Sequence, residues 1–504
     1  MKHALSILIL RARSITRKKL AAFSMIEALL AGSLLALVVF ILSGILIFGQ
    51  ESSRIAGDSQ RATALAEEGL EAVRSMSEAS FSSLTAGPHG LAVSGGKWQF
   101  LGTQDYPEIF TRSLIISDLD ANTKAVTSTV SWAASSQRNG SISLTSRFTN
   151  WRRIGSPVMG NWASTTVAAG YNATLNGRVV RVSGNYAYVG LVSGANNFKV
   201  FDISSPATPS LVGQTTVAGN INDMEVSGNY VYVASTDNTN EMRIVDVTTK
   251  TAPTLRGSYQ AAGYGDGLSV DVIGTTVYLG RAPSAILGQN EFYIIDAASS
   301  TAPALLGSLN LIDSVFDIQV SFDSYAYLAT SGNTSELNIL NVSNPAVISS
   351  VGTFNIVGSN TGRSARSVAI FDSNTDGIED RAIVARTAEG RLWPFNVSNP
   401  ASPSLIISPN GYTVPGIGAA NITYLELFNS NKYLALATNA ATAEVVIVDI
   451  TTLVAPTVLS TTNIAGASNF AAEGLAYAAG VDRLLTVGTR IATNNYSLVI
   501  IKPN

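Results

Sequence analysis

From residue 154 to the end, the chain repeats itself seven times. A repeat of this period decides the architecture before any single residue does. One unit reads GNYVYVA, then MRIVDVTTKTAPTLRG, with a preceding segment such as INDMEVSG. The first string recurs as Tyr186–Gly190, Tyr230–Ala234, Val277–Gly280, Tyr325–Ala329, Arg381–Ala385, Tyr433–Ala437 and Leu484–Gly488. The second recurs as FKVFDISSP, MRIVDVTTK, FYIIDAASS, LNILNVSNP, LWPFNVSNP, VVIVDITTL and SLVIIKPN, so that units are spaced by 44 to 56 residues. Apolar runs rich in β-branched and aromatic residues, bounded by turn residues, predict strands. Each unit offers four, an even supply for one blade of a ring of sheets. The last copy stops after its third strand, and SPVMGNWA, Ser156–Ala163, carries the missing character at the front. The expectation is a ring closed by that segment, which removes the open sheet edge; an open solenoid is the alternative.

These strings resemble the LVIVD family of β-propeller repeats over about 350 residues. The resemblance implies a mainly β fold with a seven-bladed propeller at 154–504. Asp202, Asp246, Asp296 and Asp449 end the second strings, with Asn341 and Asn396 in their place in two copies. Repetition, and the exchange of Asp for Asn, predict turn capping in place of catalysis.

The other end of the chain has a different character. Lys18 to Phe48 reads KKLAAFSMIEALLAGSLLALVVFILSGILIF, and from Ala28 to Phe48 its 21 residues carry no charge. That length suffices to span a bilayer as a helix. A secretory signal has its small residues after the apolar stretch; here Ala22 and Phe23 precede it. The arrangement resembles a type IV prepilin. The resemblance implies a leader at 1–22, cleavage by a prepilin peptidase between Ala22 and Phe23, and methylation of Phe23. It departs from the pattern at Ala22, where Gly is usual. Glu27 falls at the fifth mature position, where the resemblance implies pairing with the N-terminal amine of a neighbouring pilin subunit. On physical grounds, a carboxylate inside a membrane span costs roughly 3 kcal/mol or more and marks function. A first-turn carboxylate favoured by the helix dipole is the plainer account.

Beyond Phe48, Ile55, Ala62, Leu65, Gly69, Val73 and Met76 recur at helical spacing. One helix from 23 to 77 would be roughly 80 Å long. Its second half is expected to pack on a small β-domain at 81–150, with a coiled-coil spacer as the alternative. Strands are expected at Lys97–Leu101, Phe110–Ile116, Ala125–Trp132 and Ser141–Thr149, giving a pilin-like domain at 23–153.

Charge separates the two parts. Residues 1–153 hold 16 Lys and Arg against 11 Asp and Glu, and residues 154–504 hold 16 against 24. An acidic large domain argues against a nucleic-acid partner, which needs Lys and Arg for phosphate. There is no cysteine, and the two histidines are His3 and His89. The sequence contains no nucleophile elbow, zinc-helix motif or phosphate loop, and no catalytic constellation can be named; the expectation is a protein that is not an enzyme.

Asp372-Ser-Asn-Thr-Asp-Gly-Ile-Glu-Asp380 spaces oxygen ligands at positions 1, 3, 5 and 9, with Gly at 6, as a hard cation requires. It looks like the calcium loops of integrin-type propellers. Asp372, Asn374, Asp376 and Asp380 are expected as side-chain ligands of a structural calcium, with the Ile378 carbonyl added by analogy. In NTGRSARS, Arg363 and Arg366 are read as solvated loop arginines, with anion binding as the sharper alternative.

Together these readings predict a minor type IV pilin or filament-tip adhesin. It would reside first in the inner (cytoplasmic) membrane and then on the cell surface in an extracellular pilus, displaying a propeller for an unidentified surface, cell or polymer ligand. Its loops Ser235–Glu241, Arg281–Glu291 and Ser408–Asn421, where unit lengths vary, would do the binding. A secretion pseudopilin or a membrane-anchored propeller enzyme is the alternative.

Overall fold

The computed structural model describes residues 25–79, 81–94, 97–119, 123–135, 138–149, 160–284, 286, 288–321, 324–332, 335–356, 363–374, 378–464, 470–489 and 496–504. The expected leader, Ala22 and Phe23 lie outside them.

Helix α1 runs from Met25 to Ala79, 55 residues without a proline. Its second half presents Ala62, Ala66, Val73 and Met76 to a sheet and buries them. That sheet pairs Gly87–His89, Phe110–Asp118, Thr123–Ser135 and Arg138–Thr149 in this order, and a hairpin of Leu91–Ser94 with Lys97–Phe100 lies beside it. Gly69 is required by close approach: a Cβ there would lie 2.6 Å from the Ser128 Oγ. Arg112 ties the layers together, donating to the Leu65 carbonyl at 3.0 Å and to Asp105 at 2.8 Å. The second half of the helix is therefore a packed element and no free spacer.

The first half differs. From Leu29 to Leu46 its large apolar side chains are exposed all round, Leu29 to 66% and Phe40 to 80%. Among the described residues, however, no helix is long and apolar enough to cross a membrane, so the expected span at Ala28–Phe48 finds no support by that measure.

Beyond residue 160 the described chain forms seven propeller-like antiparallel sheets, each of four strands, with one extra short strand in the fifth. The innermost strands are Gly177–Ser183, Ile221–Ser227, Gly267–Ile273, Val315–Val320, Ala365–Phe371, Ile422–Phe428 and Ala472–Ala478. Each touches the next, and the last touches the first. The second strands are buried almost throughout, as YVYVAS is, because both their faces meet neighbouring blades. The apolar clusters accordingly straddle two sheets: Val179, Phe198 and Val200 of the first blade pack with Met224, Val231 and Val245 of the second.

Closure comes from a different segment than the expected Ser156–Ala163. The fourth strand of the last blade is Thr165–Tyr171, with Thr165 opposite Pro503 and Tyr171 opposite Leu498. Residues 156–159 of the expected segment lie outside the described residues; Thr165–Tyr171 takes the fourth position because Ala168, Ala169 and Tyr171 fit against the first blade's core. Trp162, inside the expected segment, is a plug. It is 1% exposed, packs on Phe428 and Tyr477, and donates to Asp482 at 3.1 Å.

The two faces of the ring differ. One carries tight hairpins such as those at Gly184 and Gly228, both at φ 58°, where a residue with a Cβ is strained. The chain enters the ring here: the Gly160 amide donates to Asp482, in the corresponding turn of the last blade, at 2.7 Å. Arg147 of the small sheet pairs with Glu379 on the same face at 3.4 Å. The opposite face carries the loops of variable length, since Ile221, which begins an inner strand, pairs with Ser235, where one such loop starts.

Candidate functional site

Every inner strand of the ring is interrupted near its start by the same irregularity. Pairing skips one residue between Gly177 and Val179, Ile221 and Asp223, Gly267 and Ser269, Val315 and Asp317, Ala365 and Ser367, Ile422 and Tyr424, and Ala472 and Gly474. A bulge leaves the extra residue unpaired and re-aims its side chain. The seven re-aimed residues are Arg178, Asn222, Leu268, Phe316, Arg366, Thr423 and Glu473, and all line one cavity of about 250 Å³ at the channel mouth. The mouth opens on the face of the variable loops.

Deeper in the channel lies a charged layer. Arg181 donates to Asp223 at 2.8 Å and to Glu225 at 3.0 Å, and lies 5.1 Å over the Tyr424 ring. The acids around it connect blade to blade through main-chain amides. Asp223 accepts from Val270 at 2.9 Å, Asp271 from Val320 at 2.6 Å, Asp317 from Val368 at 2.9 Å, and Glu426 from Tyr477 at 3.0 Å. Ser367 continues the belt, donating to Asp317 at 2.6 Å while its Oγ accepts from the Leu425 amide at 3.2 Å. Burial pushes Asp223 up to about 6 and Asp271, Asp317 and Glu426 up to about 7. Desolvation disfavours each charged form more than the amides restore it.

At the mouth the balance differs. Arg178 donates to Asn222 at 2.9 Å, and the Asn222 amide is spent on the Gly267 carbonyl at 2.7 Å. Thr423 donates to the carbonyls of Ala437 and Ala472. Arg366 lies 4.3 Å over the Phe316 ring. Burial lowers its pKa and raises that of Glu473.

The turn-capping reading of the strand-end residues holds in all six positions. Asp202, Asp246, Asp296, Asn341, Asn396 and Asp449 each accept from the main-chain amide two residues on, at 2.8 to 3.0 Å. Arg363 pairs with Glu389 at 3.0 Å. Arg366 corrects the solvated-loop reading: strand Ala365–Phe371 begins inside that string, and the guanidinium belongs to the channel.

Glu27 lies on α1; its side chain is outside the described residues, as are Thr375, Asp376 and Gly377 of the acidic loop. In the rest of that loop, Asp372 accepts from the Asn374 amide at 3.0 Å, and Asp380 accepts from Ser373 N and Oγ at 2.8 and 2.9 Å. Asp380 also pairs with Arg381 at 2.8 Å. A cation held by Asp380 would have to displace those partners. Among the described residues, no group of three or more acidic or histidine side chains is gathered to hold a metal. Ile378 is half exposed on the tight-turn face.

A repeated device escaped the sequence reading. A glutamate immediately before the third strand is buried in four blades, where it accepts from the loop about twenty residues on. Glu241 takes the Ala261 amide, Glu291 those of Leu311 and Ile312, Glu336 that of Ile356, and Glu444 that of Ile464, at 2.8 to 3.0 Å. Arg281 and Arg386 neutralise Glu241 and Glu336 at 3.2 and 2.9 Å. These glutamates pin the variable loops to the scaffold around the mouth. The signal was present in EMRIVD, EFYIID, ELNILN and EVVIVD, where the leading Glu recurs.

The LVIVD repeat family matches residues 176–217, 218–261 and 314–356, which are the first, second and fourth units of the ring. No curated protein matches the chain. Among solved structures, the chain is similar to the β-propeller domain of Myceliophteria thermophila Cps50 (Swd1), at 10% identity and a TM-score of 0.46, covering 68% of this chain and 100% of that one. It is also similar to the WD40 β-propeller domain of Doa1, at 13% identity and a TM-score of 0.46, covering 67% and 96% respectively.

Proposed function

We propose that this protein is a minor type IV pilin or filament-tip adhesin, in which the N-terminal half of α1 is held by a membrane and then by other pilin subunits, and the propeller binds a partner outside the cell. A propeller with LVIVD repeats fits a binding or scaffold role. The observation that carries the tethered reading is the uncovered first half of α1. An all-round apolar helix of that length needs lipid or other helices around it. The entry of the chain on the tight-turn face supports the display reading, since it leaves the channel mouth and the variable loops facing away from the tether.

In this reading the prepilin peptidase cuts before Phe23, and Glu27 pairs with the amine of a neighbouring subunit. Binding proceeds without chemical change to the partner, because the four deeper acids of the channel, Asp223, Asp271, Asp317 and Glu426, are engaged in holding blades together. The test is mass spectrometry of the membrane-bound chain from its native host. A terminus at Phe23, carrying one methyl group, is the expected result, and a chain that begins at Met1 contradicts the reading. Glu27→Ala is expected to reach the membrane and fail to enter filaments; normal incorporation would remove the role given to that carboxylate.

A further inference from the structure

Removing from the channel mouth every side chain that is already satisfied leaves very few groups for a ligand. Asn222 and Thr423 are bonded to neighbouring strands, and the acids below hold main-chain amides. Among the described residues, Arg366 and Glu473 make no hydrogen bond and no ion pair, and Arg178 uses one guanidinium nitrogen. Arg366 is fixed over Phe316 at 4.3 Å, so its donors are oriented before anything binds. The two arginines repel one another and both attract Glu473, but none of these pairs reaches contact. The mouth is therefore a partly desolvated space with two guanidinium forks and one free carboxylate.

We propose that the channel mouth binds an acidic sugar unit, with Arg178 and Arg366 holding its carboxylate and Glu473 accepting from an adjacent hydroxyl. This rests on the binding role given above and names the ligand's chemistry. Guanidinium forks match planar carboxylates in two-point contacts. A carboxylate beside them selects against a dianion such as phosphate and in favour of a single negative charge with neighbouring donors. The volume of about 250 Å³ falls just below the range of pockets for drug-sized ligands and suits one sugar unit of a polymer.

The experiment is calorimetric titration of the full-length chain in detergent with glucuronate, glucose, acetate and inorganic phosphate. Glucuronate is expected to bind most tightly. Arg366→Gln and Arg178→Gln are each expected to weaken it at least about tenfold, as loss of a charge-assisted hydrogen bond implies. Glu473→Gln is expected to weaken glucuronate while leaving acetate unchanged. The proposal is overturned if glucuronate binds no better than glucose, if phosphate binds better, or if Arg366→Gln retains wild-type affinity. Should Arg366→Gln fail to fold, Arg366→Lys and Glu473→Gln take its place, and unchanged glucuronate affinity in both overturns it. A chain that enters filaments without binding glucuronate refutes only the mouth; one that binds glucuronate but keeps its Met1 terminus refutes only the tether.

Discussion

What a carboxylate can do in this channel is set by what already occupies its oxygens. Asp223, Asp271, Asp317 and Glu426 each hold an amide of the next blade, so their raised pKa values report burial and bear on stability. The native state keeps protons that the unfolded chain gives up near pH 4. Stability from this layer is therefore fully present below about pH 4 and declines as pH rises toward about 7, where the native groups ionise. The facing charges are Arg181 and Glu225, and Arg181 moderates the effect at Asp223. Asp202 and Asp246, whose turn hydrogen bonds lower their pKa values, act oppositely and lose stability as pH falls below the ordinary carboxylate range. Melting curves should thus show a higher transition at pH 5 than at pH 7.5. Asp271→Asn should shrink that difference by about 2–4 °C, the shift that about 1 kcal/mol makes in a large domain. An unchanged difference would mean that Asp271 ionises normally. The turn-capping role of the strand-end residues was legible because it repeats and exchanges Asp with Asn. The mouth was not legible, because a bulge leaves no mark in a single sequence, and Arg366 sits in a string whose Asn, Thr, Gly and Ser read as loop.

Elements were easier to read than their exact partners. Strands of the YVYVA type stood out since both faces are buried, and helical spacing beyond Phe48 gave the packed half of α1. The closing strand was misplaced because TTVAAGY lacks the Pro and Leu that mark its counterparts, and only packing selects it. Closure leans on Trp162, so Trp162→Ala should destabilise the propeller by about 3–5 kcal/mol, read as an earlier unfolding transition in urea; a transition at the wild-type midpoint would show that the plug is dispensable. Gly69→Ala, ordinarily favourable in a helix, should destabilise here, because the new methyl meets Ser128. A raised melting temperature would mean the layers are further apart than described. The acidic loop 372–380 remains a proposed calcium site. Added calcium should raise the melting temperature of wild type but not of Asp376→Ala, whereas equal curves with calcium and with chelator would contradict that proposal.

At the scale of the whole molecule the organising fact is polarity. An uncovered apolar helix stands at one end, the chain enters the ring on its tight-turn face, and the channel mouth opens among pinned variable loops on the other. The absence of cysteine makes this directly measurable by single-cysteine labelling in intact cells with a membrane-impermeant maleimide. Asn238→Cys, on an exposed loop of the mouth face, should label fully without lysis, and Leu35→Cys, on the apolar half of α1, should stay unlabelled in the same cells. Labelling of Asn238→Cys only after lysis, or ready labelling of Leu35→Cys, would contradict the account.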